Sequence, residues 1–221
     1  RLAQKILQLM GHQTLFGCLY AVDTRLRPMG ESGLLLSSLD GFYTYQHQQA
    51  WVWEHQALVR ARVVVGPPDL RGRFYGIRKD ILSLTRENPL LWRSVCDMRD
   101  KMHIAAKALP DNMFHLKDST GCINDVEFLV QYYVLAFAGQ HALLMTFTDN
   151  IRLLDMIGRL GLLSMAEVKL LQGAYLTYRH MVHQLDLQKQ TEHTVSVSKL
   201  RAYRWAVRRM WQALSMEYNH V

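Results

Sequence analysis

Apolar residues recur along this chain with two different periods, and the change from one to the other outlines its organisation. Leu2, Ile6, Leu9 and Met10 fall at near-helical spacing, and Gly11 closes that first helix. An alternating run over residues 17–24 then predicts a strand, followed by a turn at Pro28–Gly33 and a short returning strand over 34–37. From residue 38 onward the pattern is helical almost to the end. Helices are expected over 39–49, 51–64, 68–84, 89–107, 123–139, 149–160, 165–186 and 197–217. The breaks between them fall at Gly66-Pro67-Pro68, Asn88-Pro89, Pro110-Asp111, Asp118–Gly121 and Gly161. Asp149 and Ser164 stand where N-caps belong. Residues 123–139 are apolar nearly all round, which places that helix at the centre of a bundle. The fold class is therefore mainly α, a helical bundle preceded by one helix and a hairpin.

With 221 residues, 49% of them hydrophobic and 20% charged, the chain can bury a substantial core, and global disorder is excluded. No run reaches the ~18 apolar residues of a membrane span, and no membrane partner is expected. Cys18, Cys96 and Cys122 form an odd, scattered set, which fits reduced thiols in a cytoplasmic protein better than a disulfide framework. The net charge of +7 is concentrated in Lys199, Arg201, Arg204, Arg208 and Arg209. Trp205, Val207 and Trp211 interleave with these cations, so the segment reads first as an amphipathic helix with a solvated basic face. An acidic protein partner comes next, and nucleic acid last.

Chemistry concentrates at Tyr20–Gly30. On a strand, Asp23, Arg25 and Arg27 share one face. A carboxylate beside two guanidinium groups suits a divalent cation and phosphate oxygens; the plain alternative is an internal Asp–Arg pair on a surface strand. Asp125 and Glu127 open the central helix, where carboxylates suit the positive end of its dipole. Being two residues apart, they diverge by about 200° and cannot share a metal on an undistorted helix. Lys117 and Gly121 lie in the loop before that helix, a place that can receive phosphate. Glu54 and Arg60 are possible polar contributors nearby, whereas Trp51, Trp53 and Leu58 read as core. His180 and His183 lack a third ligand for zinc.

The strings VDTRLRP, GESGLLLSS and WVWEHQALVRARVV resemble the adenylylating half of the glutamine synthetase adenylyltransferases. So does Lys117–Phe128, in which Cys122 stands where the family's pattern has a second glycine. The resemblance runs from residue 1 to about residue 215. It implies that residues 1–37 are the end of a nucleotidyltransferase α/β domain similar to that of polymerase β, and residues 38–221 a helical bundle domain. It also implies transfer of AMP from ATP to a tyrosine of glutamine synthetase, with Mg²⁺ as cofactor and glutamine synthetase, ATP and a PII-type signalling protein as partners. Asp23 would be catalytic and metal-binding, and Arg25, Arg27 and Lys117 would meet phosphate. Glu54, Arg60, Asp125 and Glu127 would form a surrounding shell. The related uridylyltransferases fit the WEHQALVRAR block less well.

Such chemistry needs two Mg²⁺ ions roughly 3.5–4 Å apart, held by several carboxylates. The family supplies these from a Gly-Ser turn and an Asp-x-Asp pair as well, and this sequence contains neither. The chain also opens on Arg1 within an amphipathic segment. It is therefore expected to be a piece of the enzyme, inactive by itself. The alternative is a non-catalytic helical module that binds glutamine synthetase or a PII-type regulator. The basic helix generates a first prediction. DNA and RNA should bind weakly and without sequence preference, with dissociation constants of about 10⁻⁴–10⁻⁶ M near physiological salt. Nanomolar, sequence-selective complexes in a gel-shift assay would contradict it.

Overall fold

The computed structural model describes residues 1–18, 22–104 and 109–218. Among them nine α-helices and two small antiparallel ladders follow one another. Helix α1 (Leu2–Met10) leads into β1 (Gln13–Thr14) and β2 (Gly17–Cys18), paired Gln13 to Cys18 and Thr14 to Gly17. Then come α2 (Leu39–Gln48), α3 (Val52–Arg60), α4 (Pro68–Leu82) and α5 (Asn88–Ile104). Strand β3 (Met113–His115) precedes α6 (Ile123–Phe137), α7 (Asn150–Arg159) and α8 (Met165–Leu187). Strand β4 (Thr194–Ser196) returns to β3 with Phe114 opposite Val195, and α9 (Arg201–Tyr218) ends the bundle. The mainly α class expected from the sequence is what the chain adopts.

Helix α6 is the axis. It packs against α3, α5, α7, α8 and α9, and Val126, Leu129, Val130, Tyr132, Val134 and Leu135 on it are almost wholly buried. Around it the aromatic side chains interlock. Trp92 of α5 meets Trp211 of α9 with ring centroids 4.6 Å apart, and Tyr132 stands edge-on to Trp92 at 5.0 Å. Asp149 caps α7 by accepting from the Arg152 amide at 3.0 Å. Ser164 caps α8 in a reciprocal box with Glu167. Both caps fall where the sequence placed them.

Several boundaries differ from expectation. Helix α3 stops at Arg60 rather than 64, because its last carbonyls are taken from outside. The buried Arg78 guanidinium donates to the carbonyls of Leu58 at 2.8 Å and Val59 at 2.7 Å, and to Met145 and Phe147 as well. Val63, Val64, Val65, Gly66 and Pro67 beyond it favour extended backbone. The last helix starts at Arg201, since residues 194–199 form β4 and a 3₁₀ turn instead. Trp51, read as core, lies outside the first turn of α3 and is 70% exposed.

The strand expected over 17–24 pairs only at Gly17–Cys18. Residues 19–21 lie outside the described ones, and 22–25 carry no strand. Residues 34–37 form none either. A strand exists only where a neighbour accepts its backbone bonds, and the described residues offer none there. Helix α1 likewise buries no residue and leaves Leu2 and Leu9 largely exposed.

Arg78 is the natural test of this packing. Arg78→Met keeps the apolar stem and removes donors from four carbonyls. It should lower stability by about 3 kcal/mol, read as a fall in the urea midpoint at unchanged slope.

Candidate functional site

Asp23 and Arg25 form a pair with each other. The Asp23 carboxylate accepts from the Arg25 backbone amide at 2.8 Å, from its Nε at 3.0 Å and from its Nη2 at 2.6 Å. The guanidinium bond, followed by the backbone bond, holds the Asp23 carboxyl down to about 2. Both side chains are mostly in solvent. A side chain that satisfies the amide two residues on is a local turn device, so this is the internal pair and not a strand face. Arg27 departs from them. Its Nη1 donates to the Thr24 carbonyl at 2.9 Å and to the Thr24 hydroxyl at 2.8 Å.

Arg27 instead enters a cleft of about 400 Å³, which Glu54 and Arg60 of α3 also line together with Phe42, Gln46 and Phe74. Three of the residues singled out from the sequence thus meet here. Glu54 does not reach into the cleft as a free carboxylate. One oxygen accepts from the Trp51 amide at 2.9 Å and the other from the Tyr45 hydroxyl at 2.8 Å. That hydroxyl in turn accepts from the Met29 amide at 3.0 Å, which fastens the turn after Pro28 to the bundle. Burial, then the neighbouring Glu54, raises the Tyr45 hydroxyl above its usual range, while the Met29 bond opposes them. Tyr45 and Gln46 escaped sequence reading, since neither sits in a recognisable pattern.

Arg60 leads deeper. Its Nη1 donates to Glu127 at 2.7 Å, and the other Glu127 oxygen receives Asn150 at 3.3 Å and the Tyr175 hydroxyl at 3.4 Å. Asp125, two residues earlier, points to the opposite side as its helical spacing requires. It is 1% exposed and receives Arg99 through Nε at 2.7 Å and Nη2 at 2.8 Å, and the Gly121 amide at 2.6 Å. Burial pushes its carboxyl up, but the bonds from Arg99 and His103 and the Arg99 charge outweigh this and leave it lowered. Lys117 lines a small hollow beside Asp125, His103 and Asn124, apart from the cleft that holds Arg27. The eight singled-out residues therefore divide among an exposed pair, a cleft and a buried cluster.

His103, Cys122 and Asp125 bring ligand atoms within 4.8 Å of one another. Their chemistry opposes a metal. Arg99 already neutralises the carboxylate, and the Cys122 thiol donates to the Lys117 carbonyl at 2.6 Å with its pKa pushed up by burial. Cys122 itself fits without strain at the head of α6. Gly121 before it does not tolerate replacement, since at φ +90° an added Cβ would lie 2.8 Å from the Arg204 carbonyl.

Comparison with known proteins agrees with the resemblance read from the motifs. Residues 1–77 match the family model described as glutamate-ammonia ligase adenylyltransferase. Residues 97–217 match the one described as GlnD PII-uridylyltransferase. The bifunctional glutamine synthetase adenylyltransferase/adenylyl-removing enzyme of Pseudomonas aeruginosa is 44% identical over 98% of this chain, and that of Thioalkalivibrio sulfidiphilus 41% over 98%. The chain spans only 23% and 22% of the length of these relatives.

Asp125 generates a prediction with a defined pH sense. Its carboxyl is lower folded than unfolded, so its contribution is complete above the unfolded value of about 3.9 and is lost as pH falls through the folded value. Asp125→Asn removes the close counter-charge of the half-buried Arg99 and leaves it only Asp100 at 3.8 Å, which should cost about 3 kcal/mol near neutrality. In urea melts taken at decreasing pH, the gap between wild type and Asp125→Asn should narrow at the acid end.

Proposed function

We propose that this chain, which belongs to the glutamate-ammonia ligase adenylyltransferase family, serves the transfer of AMP from ATP to a tyrosine hydroxyl of glutamine synthetase. It would act in the cytoplasm as one segment of a longer enzyme, under control of a PII-type protein. The bond path from the Met29 amide through the Tyr45 hydroxyl to Glu54 carries the reading, because it fixes the turn after Asp23, Arg25 and Arg27 to the cleft of the bundle. Residues 1–37 then belong with a nucleotidyltransferase domain, and 38–221 form the helical domain that carries the cleft. No described helix is long and apolar enough to cross a membrane.

Within this reading, Arg27 and Arg60 supply positive charge to the cleft, and Glu54 positions the turn. Lys117 offers a further cation before α6, while Asp125 and Glu127 set the frame. Asp23 alone does not fit a two-ion site, since both of its oxygens are engaged by Arg25. A divalent cation there would compete with that guanidinium. We assign Asp23 as one carboxylate of a Mg²⁺-binding set to which this sequence, with no Asp-x-Asp, contributes no close second member.

Incorporation of labelled AMP into glutamine synthetase tests the assignment. The 221-residue chain should transfer none, and a protein extended upstream through acid-bearing strands should transfer it. In the extended protein, Asp23→Asn should reduce transfer by about 10²-fold or more, because an amide is a poor Mg²⁺ ligand. Arg27→Ala should cost about tenfold, equivalent to one modest phosphate contact. Transfer by the short chain, or full activity of a folded Asp23→Asn variant, would place the chemistry on other residues.

A further inference from the structure

Helix α9 is divided lengthwise. Ala206, Val207, Met210, Trp211 and Leu214 are buried, and the opposite face carries Arg201, Arg204, Arg208 and Arg209 with no acidic residue until Glu217. Trp205 stands in the middle of this cationic face and is 61% exposed. Arg209 lies over its ring at 5.3 Å. Arg204 is anchored by the Thr120 carbonyl at 3.2 Å and sits 5.5 Å from the Phe114 ring. Arg201 and Arg208 are exposed, and among the described residues neither forms an ion pair.

A groove runs along each side of this ridge. One, of about 600 Å³, lies between α9 and α5 and is mixed in character, with Arg93, Asp100, Arg208 and Gln212 among its lining and the rings of Trp92 and Trp211 buried beneath. The other, of about 630 Å³, lies toward α8, with Leu170, Ala202 and Ala206 beneath Lys199 and Arg201. A face that only meets solvent needs neither a central exposed tryptophan nor an apolar groove along its flank. Arginine outnumbers lysine here, and arginine and tryptophan are the residues that dominate protein interfaces. A nucleic-acid backbone would satisfy the arginines but leave the apolar floor of the groove toward α8 uncovered. A protein surface can place carboxylates on the ridge and apolar side chains in that groove together.

We infer that the α9 ridge and the apolar groove toward α8 dock an acidic face of a protein partner. Resting on the reading above, that partner is the protein that accepts AMP. The test is binding of the 221-residue chain to immobilised glutamine synthetase by surface plasmon resonance at two salt concentrations, with circular dichroism confirming the fold of each variant. Arg201→Glu/Arg208→Glu and Trp205→Ala should each weaken binding by about tenfold or more, and the charge reversal should also flatten the salt dependence. Arg201→Lys/Arg208→Lys should retain the salt dependence. Unchanged affinity in both disruptive variants would overturn the inference. So would a single-stranded oligonucleotide bound more tightly than glutamine synthetase through the same arginines.

The extended enzyme separates the two readings. Ridge-dependent binding without any AMP transfer removes the catalytic reading and leaves the docking surface. Transfer at an unchanged Michaelis constant for glutamine synthetase in both variants does the reverse.

Discussion

A carboxylate that is 1% exposed at the head of a central helix must be neutralised where it lies, and the arrangement around Asp125 follows from that demand. Its two oxygens accept the forked guanidinium of Arg99 from α5 and the amide of Gly121 from the preceding loop. Its own backbone carbonyl receives the Trp211 indole of α9 at 3.2 Å. Arg99 is held from the other side as well, lying 4.3 Å from the centre of the Trp211 ring. One acidic residue thereby sets the distances among two helices, a loop and the start of α6. Gly121 is part of the same constraint, because its amide reaches Asp125 only from a backbone conformation in which no Cβ has room.

Two further cations, the buried Arg78 and the half-buried Arg86, follow a related rule. Arg78 closes the C-terminal end of α3. Arg86 donates to Ile81 and Leu82 at the end of α4 and to Leu135 near the end of α6. Helix C-termini are electronegative and leave carbonyls without partners, so a buried guanidinium there satisfies several groups at once. Burial lowers the Arg86 pKa to about 10, which still leaves it charged at neutral pH. These two arginines explain how short helices can end inside the bundle. They also explain why α3, which carries the cleft residues Glu54 and Arg60, ends where it does.

The helices were legible in the sequence because burying a face leaves a 3.6-residue period in the chain itself. Positions settled by distant partners were not. Nothing near residue 60 announces that Arg78 will take the carbonyls of Leu58 and Val59. Strands β3 and β4 are three residues each, too short for alternation to register. The alternation around Asp23 was real as a pattern, but a strand also needs a neighbour. Asp23 and Arg25 satisfied each other instead, while Arg27 went to the cleft. The divergence of Asp125 from Glu127 was legible, since it follows from helical geometry alone. Arg99, which decides the fate of Asp125, carried no local signal across 26 residues of sequence.

The cleft and the ridge hang from the same element. Helix α3 is tied to α6 by Arg60 to Glu127 and by the buried hydrogen bond from the Gln56 side-chain amide to the Gln131 side-chain carbonyl oxygen at 3.0 Å. Helix α9 is tied to it through Trp211 and Asp125. Neither face can shift along α6 without breaking buried polar contacts, and each such loss costs about 1–3 kcal/mol. The separation between the charged cleft and the basic ridge is therefore a fixed dimension of the bundle. Residues 1–18 are held differently, since α1 leaves its apolar stripe uncovered among the described residues. A partner on the ridge would be positioned against the cleft, whereas Asp23 is joined to that cleft by the turn that follows it, through Arg27 and Pro28 in the lining and the Met29–Tyr45–Glu54 bonds. On the proposed docking, the bundle would set where a partner stands, and the turn would set how closely the carboxylate follows.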